Sequence, residues 1–267
     1  MNRYLLFSLL SIVIIFTGCN NNAKKVKFLD DSFLNTKVGT IVDQKMSKEI
    51  IVIKKPIIIK KEIKKIVKKK LKKKTITVQQ KKQRFKDILV PIITEIYHTL
   101  EQQYQSVKRD INTNVNRPYI EKLKVEYKAK TDEMLLHALK PHPISIVLAQ
   151  SAIESAWLTS RFTKSANNIF GVWSFNKKEP RIAANATRGE KKIYLKKYKT
   201  YKSAVADYYK TLAKSWAYPK FREQRTLTND PYQLVEYLES YSEKKKVYTD
   251  TLKKMIEYNK FYEYDVK

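Results

Sequence analysis

The 267-residue chain is short of cysteine, glycine, histidine and acid. Its lone cysteine, Cys19, excludes an intrachain disulfide and any cysteine-based zinc cluster. Four glycines (Gly18, Gly39, Gly171 and Gly189) stand too far apart to build a phosphate-cradling loop, so no P-loop and no dinucleotide fingerprint can be assembled. Glycine this scarce also argues against a turn-dense all-β fold. The three histidines, His98, His137 and His142, have no metal-ligand spacing, and neither a metal nor another cofactor is expected. Acidic residues number 26 against 55 lysines and arginines, a net charge of +29. Hydrophobic residues make up 43% of the chain, enough for a substantial core.

Three segments divide the chain at 1–19, 20–83 and 84–267. In the first, Arg3 precedes an apolar run from Tyr4 to Phe16, broken only by Ser8 and Ser11. Thirteen helical residues span about 20 Å, short of the ~30 Å hydrocarbon layer, which fits a signal-peptide core rather than a permanent span. The run closes on Phe16-Thr17-Gly18-Cys19, small residues directly before the cysteine. That junction is similar to a bacterial lipobox, which implies lipid attachment at Cys19. An ordinary cleaved leader, or an uncleaved anchor with an incidental cysteine, is the alternative. Asn20 rather than Asp after the cysteine favours outer-membrane sorting, facing the periplasm, in a host with two membranes.

Residues 20–82 carry 20 lysines and 5 acids, and Ile53 to Lys74 alternates Ile or Val with lysine pairs. Charge at that density repels itself, so an extended stalk is expected. It serves either as a solvated spacer or as a surface adhering to anionic headgroups and envelope polymers. Export and the lack of aromatic residues in the basic stretch weigh against nucleic acid as a partner.

From Arg84 onward aromatic residues appear and helical periods lengthen. Apolar positions 85, 88, 89, 92, 93, 96, 97, 100 and 104 form one stripe, with Pro91 expected to kink or restart the helix. Shorter helices are predicted over 119–127 and 132–139, the second capped by Thr131 or Asp132. Ile193 to Tyr201 alternates as a strand after a turn at Gly189, and Ser203 is expected to cap the next helix.

The segment from Pro143 to Phe162 reads as a core helix, nearly apolar throughout, with Glu154 its only acid. Gln150 and Ser151 lie one turn back, and Trp157 and Leu158 one turn on. A carboxyl against an indole and aliphatic groups loses hydration, which raises its pKa and keeps it protonated near neutrality, as a glycosidic general acid requires. The bland reading is a surface glutamate paired with a lysine. Asn167-Asn168-Ile-Phe170-Gly171 follows as a turn whose carboxamides suit sugar hydroxyls and N-acetyl groups. Phe170 and Trp173 offer faces to pyranose rings, although Phe170 suits a core position equally well.

These segments, together with Tyr198–Tyr208, Ala217–Arg222 and Tyr241–Tyr248, resemble the glucosaminidase family (glycoside hydrolase family 73), and in particular its Bax-type proteins. The resemblance spans roughly residues 84–263. It implies a mainly α, lysozyme-like α+β domain with a small β-hairpin lobe, and Glu154 as catalytic acid. Gln150, Trp157, Asn167, Asn168, Phe170, Gly171, Trp173 and Tyr248 are then candidates for substrate binding. The family's second glutamate falls between the Asn-Asn motif and the strand, where Glu179 and Glu190 are candidates and Glu190, beside Gly189, is favoured. The family's Tyr-Ala-Thr tyrosine corresponds best to Tyr241, although Ser242-Glu243 replaces Ala-Thr.

The implied protein is a monomeric cell-envelope lipoprotein that hydrolyses β-1,4 bonds in peptidoglycan glycan strands. A lytic transglycosylase on the same fold is the enzymatic alternative, and a silent peptidoglycan-binding lipoprotein the non-enzymatic one.

Overall fold

The computed structural model describes residues 76–188 and 191–266. Cys19, the leader, the lysine-rich stretch and Glu190 lie outside the described residues.

The first helix, α1, runs from Val78 to Asn112 and opens on a capping box in which Thr77 and Gln80 bond each other's backbone N–H groups. The boundary expected at Arg84 therefore falls inside a helix. The restart expected at Pro91 does not occur either. Pro91 sits within the continuous helix, whose buried stripe of Phe85, Leu89, Ile93, Ile96 and Tyr97 continues past it. One missing N–H costs less than abandoning that stripe.

Helices α2 (Arg117–Tyr127) and α3 (Asp132–Leu139) fold back against the second half of α1. Thr131 is the cap of α3, accepting from the Met134 N–H. Tyr104, Val107, Ile120, Leu123, Leu135 and Leu139 form a small core between these three helices.

Helix α4 (Ile144–Ser155) is the axis of the main core. Ten of its twelve residues are buried, which matches the nearly all-round apolar sequence. Its N-cap is Pro143, which offers no capping side chain. The cap comes from 120 residues away: Asp265 accepts from the Ser145 N–H at 2.8 Å and from its hydroxyl at 2.6 Å. A carboxylate at a helix N-terminus satisfies orphan donors and opposes the helix dipole, together about 1–2 kcal/mol.

The helix expected to reach Phe162 stops at Ser155. Ala156, Trp157 and Leu158 all take positive φ (49°, 58° and 62°), a left-handed stretch that costs roughly 1–2 kcal/mol per non-glycine residue. It is held by Trp157 N–H donating to the Ala152 carbonyl, by Leu158 N–H donating to the Ser155 hydroxyl, and by the Trp157 ring, edge-on to Phe85 at 5.0 Å. Helix α5 (Arg161–Ala166), capped by Ser160, follows.

Strands β1 (Arg181–Arg188) and β2 (Lys191–Lys196) pair antiparallel, the only sheet among the described residues. Register is regular from Arg181↔Lys196 to Ala183↔Tyr194 and is interrupted before Thr187↔Lys192, where β1 carries two extra residues. Ala184, Ile193 and Leu195 pack with Phe162 and Trp173 beneath the hairpin. The strand expected to reach Tyr201 ends at Lys196.

Helix α6 (Tyr201–Lys214) begins with a capping box in which Thr200 is the cap and Ser203 its reciprocal partner three residues on. Helices α7 (Pro219–Leu227) and α8 (Pro231–Leu234), a 3-10 turn (Val235–Tyr241), α9 (Lys246–Tyr258) and a final 3-10 turn (Phe261–Tyr264) complete the domain. α4 packs against α1, α9 and the last 3-10 turn. The architecture is mainly helical with one small hairpin.

Candidate active site

Glu154 occupies the final turn of α4, partly accessible at the surface yet closely surrounded by protein. Loss of hydration raises its carboxyl from the ordinary 4.5 to about 7, opposed by a hydrogen bond from the Tyr248 hydroxyl and by the Lys244 charge. The acid is thus half-protonated near neutrality. Three tyrosines stand close enough to feel its charge. Tyr248 and Tyr241 stack at 5.7 Å with their rings 6° apart, and Tyr218 lies 6.4 Å from Tyr241. Burial and the nearby carboxyl push the hydroxyls of Tyr218, Tyr241 and Tyr248 upward in pKa, so all three remain neutral donors.

The two tyrosines expected at the site divide the work. Tyr248, on the first turn of α9, meets the acid and receives a 3.0 Å bond from the Gln150 amide. The Tyr241 hydroxyl is instead spent on the Phe170 carbonyl at 3.1 Å. Its ring supports Tyr248 from behind.

Several residues expected to touch substrate are interior supports. Gln150 is fully buried, and its two amide ends are taken by Tyr208 and Tyr248. Asn168 is buried; its amide donates to the carbonyls of Val172 and Lys196 at 2.9 Å each, while its oxygen accepts from the Val172 N–H. It therefore ties the loop after α5 to β2. Asn167, at φ 50°, closes α5 and donates to the carbonyls of Tyr198 and Lys199. Phe170 is wholly buried and stacks on Tyr208 at 4.0 Å, which settles it as core. Gly171, at φ 67°, turns the chain out of this motif.

Trp157 does not stand one turn beyond Glu154, because α4 has already ended. Its ring packs on Phe85 and Phe261 and lines an open depression of about 760 Å³ with Lys82 and Tyr258. Glu154 does not line that depression. Trp173 is part-exposed beside β2, bridged to Leu195 and 6.0 Å from the exposed Phe175. Glu179 lies on the turn before β1, where its charge is felt by Tyr198.

Sequence reasoning missed Tyr208, Tyr218, Lys244, His142 and Arg225. Tyr208, Tyr218 and Lys244 fall inside the segments that carry the family resemblance, the one signal that could have found them. His142 and Arg225 gave no signal, because an isolated basic residue reads as surface until the fold buries it. Here both are fully enclosed. Among the described residues no group of three or more His, Cys, Asp or Glu side chains is placed to hold a metal ion.

A carboxyl of near-neutral pKa at the end of a buried helix, in a domain that carries one small β-hairpin, is the candidate site. Residues 135–261 match the glucosaminidase family, described as mannosyl-glycoprotein endo-beta-N-acetylglucosaminidase. Comparison with curated proteins finds no match. Among solved structures, the catalytic domain of the autolysin Auto from Listeria monocytogenes is similar, with 15% identity and a TM-score of 0.45 over 83% of this chain and 100% of that one. A peptidoglycan hydrolase from Sphingomonas sp. A1 shows 19% identity and a TM-score of 0.39 over 55% of this chain and 86% of that one. A C-terminally truncated glycoside hydrolase domain of FlgJ from Salmonella typhimurium shows 21% identity and a TM-score of 0.37 over 53% and 97%.

Proposed function

We propose that the protein is an envelope lipoprotein that hydrolyses the β-1,4 bonds following N-acetylglucosamine in peptidoglycan strands, with Glu154 as general acid. The observation that carries this reading is the carboxyl held near pKa 7 on the end of α4. A group with that pKa can be protonated at neutral pH and still release its proton to a departing glycosidic oxygen. The family's described activity on N-acetylglucosaminides supports the choice of bond. Trp173 and Phe175 offer part-exposed rings to the sugar. The oxocarbenium-like centre is met by Glu190 or by the substrate's own acetamido group.

Mass spectrometry of muropeptides released by the purified protein tests the reaction. Hydrolysis yields N-acetylglucosamine at a free, borohydride-reducible end. An anhydro-muramic end would make the protein a transglycosylase, and release of nothing would leave it a binder.

Attachment through Cys19 is the second part of the proposal. Cys19→Ala is expected to abolish lipid labelling and release the protein from washed membranes. Retention at high salt would rule the anchor out. Retention only at low salt would assign membrane adhesion to the lysine-rich stretch, whose attraction is screened within ~10 Å at 0.1 M salt.

A further inference from the structure

Behind Glu154 runs a chain of buried hydrogen bonds that begins on a cation. Arg225 is 2% exposed, has no carboxylate partner among the described residues, and donates to the backbone carbonyls of His137 and Ala138. Burial lowers its guanidinium to about 9, which leaves it charged at neutral pH. Its remaining nitrogen stands 3.4 Å from His142 Nδ1. A guanidinium can only donate, so Nδ1 must accept. Burial and the Arg225 charge drive the His142 pKa well below 6.5, and the neutral ring then carries its single proton on Nε2. Nε2 lies 3.0 Å from the Tyr208 hydroxyl and donates to it. Tyr208 in turn donates to Gln150 Oε1, Gln150 Nε2 donates to the Tyr248 hydroxyl at 3.0 Å, and Tyr248 donates to Glu154.

Every bond in this series points the same way, and no member can reverse alone. Turning Gln150 over would oppose two donors at Tyr208 and leave Tyr248 giving its proton backward. Only a change of the His142 tautomer permits the reversed series, and Arg225 forbids that tautomer. We propose that Arg225, acting through His142, Tyr208 and Gln150, fixes the direction of this series so that Tyr248 always donates to Glu154. The acidic proton of Glu154 then resides on the carboxyl oxygen that Tyr248 leaves free. The four residues upstream of Tyr248 are positioning residues, buried and out of reach of a glycan. The groups facing the carboxyl itself are Tyr248, Tyr218, Tyr241 and Lys244. Those around the His142 ring are Arg225, Tyr208, Tyr209 and Phe221.

The inference rests on Glu154 being the acid only for its kinetic consequence. The placement of the donor is measurable without turnover. Carbon-13 NMR titration of glutamate-labelled full chain, with Glu154→Gln identifying the resonance, gives the Glu154 midpoint. Tyr208→Phe keeps the ring that stacks on Phe170 but frees Gln150 to turn. Tyr248 then loses its obligation to donate, the ionised carboxyl loses a donor, and the midpoint moves to higher pH. His142→Leu is expected to do the same. His142→Gln, which can accept from Arg225 and donate to Tyr208 at once, is expected to hold the midpoint at the wild-type value.

In turnover of labelled peptidoglycan, Tyr208→Phe is expected to move the alkaline limb upward and to lower kcat roughly 10-fold, a fraction of the ~10²–10⁴-fold that general acid catalysis supplies. KM should stay constant. An unmoved midpoint in folded Tyr208→Phe overturns the proposal. So does a His142→Gln midpoint displaced as far as that of His142→Leu. Should His142→Leu fail to fold, Tyr208→Phe alone decides. Full activity of Glu154→Gln would sink the proposed acid, while the titration would still judge the series.

Discussion

Glu154→Gln is expected to lower peptidoglycan turnover about 10²–10⁴-fold, the usual worth of a positioned general acid. Glutamine fills the same volume and still accepts from Tyr248, so the surrounding tyrosines keep their place. What it lacks is a transferable proton. The loss should fall on kcat, because the acid acts on the leaving oxygen as the bond breaks and not on the bound ground state. Initial-rate measurements on wild type and variant at pH 6 check this. Activity within a few-fold of wild type would remove Glu154 from the chemistry.

The same substitution carries a stability prediction of opposite sign. The Glu154 carboxyl is raised from 4.5 to about 7 in the folded chain. A raised acid binds its proton more tightly when folded. Its contribution is therefore complete below about pH 4.5, declines as pH rises through the interval to about 7, and is absent above it. At ~1.4 kcal/mol per pKa unit, and with the group partly accessible, the decline amounts to about 2–3 kcal/mol. Glu154→Gln has no such proton to lose. Its stability relative to wild type should climb by about 2–3 kcal/mol between pH 4 and pH 8 in urea denaturation. A difference that stays constant across that range would mean that Glu154 is solvated like an ordinary surface carboxylate. An enzyme that gains stability by losing its acid has spent folding energy on its site.

Much of this architecture was legible in residue order. The stripe from Phe85 to Tyr104 announced α1, the apolar run after Pro143 announced α4, and Glu154 stood out as the one acid of a core helix. Errors came where a tertiary bond outranked a local rule. Pro91 did not restart the helix, because the buried stripe continues on either side of it. Trp157 and Leu158 were placed on a helix that in fact ends in left-handed backbone, a turn without a glycine to signal it. Gln150 and Asn168 read as ligand-facing because carboxamides suit sugars equally well as they suit orphan backbone groups. Their 0% and 1% exposure shows which partner won. Nor did residue order show the groups that feel the Glu154 charge: Tyr218, Tyr241 and Tyr248 lie 64 to 94 residues further along the chain.

That distance has a consequence in time. α4 can coil from its own sequence, but the tyrosines that stand around Glu154 and the Asp265 that caps the helix arrive from far downstream. Contacts between residues so far apart close large loops, and closing large loops is the slow part of folding. A chain caught midway, with α1 packed on α4 and the later helices undocked, holds a bare glutamate in water, ionised at neutral pH and unable to donate. The raised carboxyl is thus a property of the docked domain and not of α4 alone. A partly folded molecule would lack the raised carboxyl that the proposed chemistry needs.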